Sequence, residues 1–163
     1  MVSSTVTISV AGQNYAYYQD AWSGSISAKT DLNIIGYATS GHGIYLGTGS
    51  VTSSNGNVIL SGYTSSTNTG HYGIYSNAIN VSANNGSVTF QGSKLDTVST
   101  LANAVSNLSG ATPTPLFAIA DAGNPASAAT NGVYWTGNIT ANTTSGQINI
   151  YSKSPIISGV MTA

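Results

Sequence analysis

Few residues in this chain have the types needed for acid–base, nucleophilic or metal chemistry. Asp20, Asp31, Asp96 and Asp121 are its only acidic side chains, Glu being absent. Each is isolated in sequence, so a two-carboxylate hydrolase would need two of them to meet across the fold. They read more simply as solvated turn or surface residues. His42 and His71 occupy nearly the same point of two similar segments, which implies metal-like proximity, but no third ligand accompanies them and no metal site is expected. Serine is plentiful without a G-x-S-x-G elbow. Gly41-His42-Gly43 and Gly47-Thr48-Gly49 lack the strand, helix and Lys context of a phosphate loop. The expectation is a non-enzyme with no catalytic residue, no metal and no cofactor.

Composition narrows the partners. The 163 residues include three Lys, no Arg and four Asp, and 4% are charged, against about a quarter in an average chain. With no basic face to neutralise phosphates, nucleic acid and anionic membrane surfaces are poor partners. Cysteine is absent, which removes disulfides and thiolate chemistry and is compatible with an outer surface reached through an oxidising compartment. No apolar run approaches the roughly 18 residues of a membrane span, so no membrane insertion is expected. MVSSTVTISV lacks the cationic start and continuous apolar run of a secretory signal, so an exported protein would carry this chain as a fragment of something longer.

The elements that must position these residues come from a repeat. GIYLGTGSVTSSNGNVILSG at 43–62 returns as GIYSNAINVSANNGSVTFQG at 73–92. Adding 30 maps Ile44 to Ile74, Tyr45 to Tyr75, Val51 to Val81, Asn55-Gly56 to Asn85-Gly86, Val58 to Val88 and Leu60 to Phe90. Adding 60 carries Ile79 to Ile139, Val88 to Ile148 and Phe90 to Ile150, with Gly132-Val133-Tyr134 displaced by one residue. A weaker copy holds Ile26 and Leu32-Asn33-Ile34-Ile35-Gly36. Hydrophobic residues make up 40% of the chain, and in NVILSG and SVTFQG they alternate, as in half-buried strands. Each copy reads as three short strands, such as 43–47, 50–54 and 57–61, which cannot bury an apolar face without a stacked neighbour.

The predicted fold is therefore all-β: one parallel β-helix domain over 1–163, with coils of about 30 residues near 20–36, 43–62, 73–92 and 131–153. Leu32, Val58, Val88 and Ile148 form one inward column, and Ile34, Leu60, Phe90 and Ile150 the next. Asn55-Gly56 and Asn85-Gly86 hold one corner, where a positive φ is expected. A meander of hairpins with Asn-Gly tips is the competing architecture, but it would not need three strands in every repeat at constant register. Residues 93–131 break the repeat, either as a degenerate coil keeping PLFAIAD at 115–121 or as an excursion. Helical spacing of Leu95, Val98, Leu101, Ala102, Val105 and Leu108 predicts one helix over 94–108.

Alternation places Tyr45, Tyr75 and Tyr134 outward in a column, with Trp135 beside the last. Such a ladder could contact sugar rings or another protein, or stabilise the sheet by cross-strand stacking. These four residues are the candidate ligand contacts. Tyr15, Tyr17, Tyr18 and Trp22 form a second cluster that reads as an atypical terminal coil. Asn-x-Ser/Thr triplets begin at Asn80, Asn85, Asn107, Asn138 and Asn142, although a chain this rich in Asn, Ser and Thr produces most of them by chance.

The pattern G-I/V-Y, then I-x-V/A, then N/S-G-x-V/I-x-L/F/I, over residues 20–92 and 131–153, resembles the haemagglutinin-type repeats of bacterial filamentous haemagglutinins and related contact-dependent inhibition proteins. That resemblance implies a right-handed β-helix shaft on the bacterial cell surface or outside the cell, a role in adhesion or in presenting a distal domain, and no catalysis. The long polar segment YTSSTNTGHY at 63–72 and the helix at 94–108 depart from the family's plain shaft, and no amino-terminal secretion domain is recognisable. Three functions follow as expectations. One is a structural segment of a surface adhesin whose partner is a protein or host glycan. Another is a fibre subunit that self-associates through its coil ends, and the third is a carbohydrate-binding β-helix.

Overall fold

A computed structural model describes residues 5–19, 24–94, 132–152 and 155–163. Its strands are short, bounded by Gly, Asn and Ser, and carry β-branched or aromatic residues at alternate positions, as a pleated and half-buried surface requires. In chain order they are β1 (Val6–Gly12), β2 (Tyr17–Gln19), β3 (Gly24–Ala28), β4 (Leu32–Ala38), β5 (Ile44–Leu46), β6 (Gly49–Ser53), β7 (Val58–Thr64) and β8 (Ile74–Ser76). They continue as β9 (Ile79–Ala83), β10 (Val88–Lys94), β11 (Val133–Thr136), β12 (Ile139–Ala141), β13 (Ile148–Tyr151), β14 (Ile156–Ser158) and β15 (Met161–Thr162).

Every third strand stacks on the one before. The first sheet runs β1-β4-β7-β10-β13, the second β14-β11-β8-β5-β2 and the third β15-β12-β9-β6-β3, with parallel pairing throughout. The chain is thus a parallel β-helix of stacked rungs. A hairpin meander would give antiparallel neighbours, so the register excludes it.

The inward columns lie where the repeat places them. Leu32 pairs Val58, Val58 pairs Val88 and Val88 pairs Ile148, while Ile34, Leu60, Phe90 and Ile150 form the second column. Val6 and Ile8 extend both columns by one rung. Ile44, Leu46, Ile74, Val133 and Trp135 from the second sheet and Val51, Val81 and Ile139 from the third close the same core. Each fully buried aliphatic side chain contributes about 1.5–3 kcal/mol.

The register also shows what varies from coil to coil. The path from the second sheet through the third to the first runs from Tyr17 to Leu32, from Ile44 to Val58, from Ile74 to Val88 and from Val133 to Ile148. Its length changes by no more than a single residue among the four. The connection from the first sheet to the second runs from Val6 to Tyr17, from Leu32 to Ile44, from Val58 to Ile74 and from Val88 to Val133. Each of these is longer than the one before, and the last exceeds the other three together. Length variation is therefore concentrated at one corner. The offset read from the repeat holds between Val58 and Val88, whereas Val58 follows its partner Leu32 at a shorter distance along the chain.

Because β10 pairs directly with both β7 and β13, and β11 and β12 pair directly with β8 and β9, no coil intervenes between these rungs. The two readings of 93–131, degenerate coil or excursion, fall on residues that from 95 onward lie outside the described ones. Residue 94, the start of the expected helix, is the last residue of β10; the rest of that helix and PLFAIAD lie outside the described residues. Ile139 stacks on Val81 rather than on Ile79, so the middle strand of this coil is displaced from the mapping that the repeat suggests.

Two sets of glycines make the coils fit. At the variable corner Gly36 lies against Gly43, Gly62 against Gly73 and Gly92 against Gly132, and a Cβ on Gly36, Gly43, Gly62, Gly92 or Gly132 would collide with nearby backbone. A connection of any length therefore leaves and re-enters through the same narrow gate. At the corner between the third and first sheets, a Cβ on Gly56 would meet Thr30 C and Asp31 Oδ1 at 2.7 Å, and one on Gly86 would strike Gly56 O. Glycine is present there for close coil-to-coil approach. The expected positive φ is absent from this corner and sits instead between the second and third sheets, at Gly49 (φ 128), Ala78 (φ 64) and Gly137 (φ 123). Asn55 and Asn85 contribute a ladder: Asn85 Nδ2 donates to Asn55 Oδ1 at 3.0 Å and to Ser54 O at 3.2 Å.

Gly62→Ala and Gly70→Ala form a discriminating pair. Gly62 faces the Gly73 backbone, whereas the nearest atom to a Cβ on Gly70 is Asn68 Oδ1 at 3.5 Å. Urea unfolding followed by circular dichroism is expected to show a loss of about 3 kcal/mol or more for Gly62→Ala and a change within about 0.5 kcal/mol for Gly70→Ala.

Candidate functional site

The outer face of the second sheet carries a continuous aromatic surface. Parallel pairing places Tyr18 beside Tyr45, Tyr45 beside Tyr75 and Tyr75 beside Tyr134. Their ring centroids follow at 4.8, 5.2 and 5.1 Å with interplanar angles of 21°, 16° and 9°. This near-rung spacing follows from the strand separation of about 4.8 Å, and it makes the four tyrosines one stack. Tyr45, Tyr75 and Tyr134 are half-buried.

A second column runs beside the first. Tyr15 stacks on His42 at 5.8 Å and 19°, and His42 stacks on Tyr72 at 5.9 Å and 4°. These rings lie in the notches of the first column. Tyr15 touches Tyr18 and Tyr45, His42 touches Tyr45 and Tyr75, and Tyr72 touches Tyr75 and Tyr134, all at centroid distances between 4.7 and 5.9 Å. His42 and Tyr72 come from the ends of the variable connections, immediately before the gate residues Gly43 and Gly73. Connections of unequal length thus deliver the residue before the gate glycine to one repeating position.

The candidate contacts separate accordingly. Tyr45, Tyr75 and Tyr134 form the predicted outward column. Trp135 does not belong with them: it is fully buried and packs on Phe90 at 4.4 Å. The reason is the same alternation, since Trp135 lies two residues after the inward Val133. Tyr15, Tyr18, His42 and Tyr72 belong to the surface but were not grouped with the ladder by sequence reasoning. A signal existed for two of them, because Tyr72 follows His42 by one period of the repeat. Trp22, Asp20, Asp96 and Asp121 lie outside the described residues.

His42 and His71 do meet, at 5.3 Å between ring centroids. His42 Nδ1 accepts the Tyr72 amide N–H at 3.1 Å, and His71 Nδ1 shares a 2.7 Å hydrogen bond with Ser66 Oγ. Both Nδ1 atoms are thus engaged in the fold. Among the described residues no group of three or more His, Cys, Asp or Glu comes together as a metal site. Burial first, and then the charge of His71, lowers the His42 pKa to about 4. Tyr75 is raised above the ordinary phenol value by burial, then by Tyr45, Tyr134 and Tyr72.

In the stack, rings turn their faces toward each other and present edges and hydroxyls outward, so sheet stabilisation is satisfied before any ligand arrives. No protein-family model, curated protein or solved structure matches the chain.

Tyr75→Ala removes a ring that stacks on both Tyr45 and Tyr134. It is expected to lower unfolding stability by about 1.5–3 kcal/mol, whereas Tyr75→Phe, which keeps the rings stacked, stays within about 0.5 kcal/mol. Urea midpoints of the two variants, compared at unchanged m-value, measure the difference.

Proposed function

We propose that this chain is a structural segment of a bacterial surface or extracellular adhesin, a rigid β-helix shaft that carries its contact-making segments along one corner. The observation that carries this reading is the division of each coil into a path of nearly constant length and a connection that lengthens at every turn, from Val6–Tyr17 to Val88–Val133. A near-constant path supports a stiff stack, and a tolerant corner lets sequence change without disturbing it. The haemagglutinin-like wording of the repeats, the absence of cysteine and the scarcity of charge fit an extracellular location. Partners on this reading are another protein or a host-surface glycan, met by the corner segments or the outward tyrosines.

Beads coated with the chain are expected to be retained on host cells above bare beads, and to lose retention when residues 65–72 are replaced by a short Gly-Ser link. Retention equal to bare beads would count against adhesion. A peptide inserted between Asn68 and Thr69 should leave the urea midpoint nearly unchanged, while the same peptide between Asn55 and Gly56 should abolish folding.

One observation favours a second reading, a fibre subunit. Among the described residues, each of the three sheets ends in strands hydrogen-bonded on one side only, β1, β2 and β3 at one end and β13, β14 and β15 at the other. Such edges template further strands. Sedimentation over a wide concentration range separates the readings: a constant 16.5 kDa species supports the isolated shaft, and regular filaments support the fibre.

A further inference from the structure

The connection between β7 and β8 is held by a network of polar contacts as well as by the rings of His71 and Tyr72. Its first half is tied to the coil below, where Ser65 N–H donates to Ala38 O at 3.0 Å and Thr64 Oγ1 donates to Gly41 O at 2.6 Å. Its second half is wired internally: Asn68 N–H donates to Ser66 Oγ at 3.2 Å, Gly70 N–H to Asn68 Oδ1 at 2.9 Å and His71 N–H to Asn68 O at 3.2 Å. Where this half rejoins the solenoid, Tyr72 N–H donates to His42 Nδ1, and Tyr72 O accepts Gly43 N–H at 3.2 Å.

His42 is the unusual member of that joint. It is 7% exposed and is held among Tyr15, Tyr45, Tyr72, Tyr75 and His71. These are the titratable groups whose rings pack against it, from the β1–β2 connection, β5, the β7–β8 connection and β8. None of them is a carboxylate or an ammonium; a Tyr72 backbone contact alone favours a positive charge, and burial together with the charge of His71 outweighs it. The accepted amide hydrogen bond further requires a lone pair on Nδ1, which fixes the neutral tautomer with its proton on Nε2.

We propose that His42 is the latch of an acid-operated release: protonating its imidazole breaks the Tyr72 amide hydrogen bond and frees the second half of the β7–β8 connection from the aromatic ladder. Adding the proton at Nδ1 converts an acceptor into a donor facing the Tyr72 N–H, and it places a cation 5.3 Å from the His71 ring. Departure of this half carries Tyr72 away from the notch between Tyr75 and Tyr134 and uncovers both rings. The inference is independent of the adhesin reading.

The sign and size follow from linkage. Latched, His42 has a pKa of about 4; released into water, it returns to about 6.5. The released form therefore binds the proton more tightly, and the opening equilibrium rises as pH falls through this window while staying flat above it. Between pH 7 and pH 5 the shift is roughly 20-fold, tending to a few hundred-fold well below pH 4.

Amide hydrogen exchange of the whole chain, corrected for intrinsic rates, tests this. Tyr72 N–H is expected to exchange roughly 20-fold faster at pH 5 than at pH 7, while Val58 N–H, bonded to Ser87 O within the stack, stays unchanged. His42→Gln is expected to remove the pH step, and His71→Gln to keep it. A flat Tyr72 profile overturns the proposal, as does parallel acceleration at Val58, which would mean global acid unfolding, or persistence of the step in His42→Gln. Should that variant fail to fold, imidazole nitrogen shifts of the unaltered protein decide. A His42 titration whose midpoint tracks Tyr72 exchange supports the latch, and one that does not track it overturns it.

Discussion

A strand this short cannot satisfy its own backbone donors and acceptors, and everything in this structure depends on how that deficit is met. Each rung donates and accepts along the axis to the rung before and after it, so the parallel ladder is an obligation rather than a preference. Like residues then stack on like, because the register that pairs Leu32 with Val58 also pairs Tyr37 with Tyr63 and Gly36 with Gly62. The ladder fixes the interior columns and the outward tyrosines in one stroke. Spacing between aromatic rings is inherited from the backbone, not chosen by the rings.

Tight stacking has a consequence at the corners. Where two segments of one coil pass each other at the gate, glycine stands on both sides at Gly36 and Gly43, Gly62 and Gly73, Gly92 and Gly132, and no Cβ fits on Gly36, Gly43, Gly62, Gly92 or Gly132. The gate separates two regimes of selection. Inside it, the path through the second, third and first sheets keeps nearly one length, because an extra residue within a strand would move an apolar column to the outer face. Outside it, chain length is free, since an added surface residue costs only a slowly growing closure entropy. Polar connections rich in Ser, Thr and Asn can then accumulate without disturbing Val58 or Leu60.

Much of this was legible from sequence because repetition is itself a structural statement. The columns through Val58 and Val88 and through Leu60 and Phe90, and the outward Tyr45 and Tyr75, were read directly from residues of the same kind at the same offset. What escaped was whatever the repeat does not spell out. The rung at Val6–Gly12 carries neither the G-I-Y nor the Asn-Gly wording, yet its alternating Val6, Ile8 and Val10 pair in register with β4. The shift of Ile139 onto Val81 was hidden because Ile79 and Ile139 are identical residues, and matching by type outweighed the placement of Gly137 against Ile79. The Asn-Gly corner suggested positive φ by habit of those residues, whereas the local demand was for missing side-chain volume. Trp135 was drawn to the surface by its neighbour Tyr134 although its parity with Val133 pointed inward.

The second aromatic column shows why a site can be harder to read than a fold. Tyr15, His42 and Tyr72 are not all of one type and lie near the ends of connections of different length, so no constant offset relates all three. Only the corner makes them equivalent, by delivering a residue near each return to the same notch. Two physical demands then meet at His42: a ring is needed to continue the column, and an acceptor is needed for the Tyr72 amide. Tyrosine in that place would supply the ring but no acceptor along the ring edge. Imidazole supplies both, while leaving a basic nitrogen in a pocket of phenols where burial and the charge of His71 outweigh the one Tyr72 backbone contact that favours protonation. The same residue that completes the packing therefore makes this the one position in the aromatic surface, among the described residues, where packing and protonation are opposed at a ring that also accepts a backbone amide.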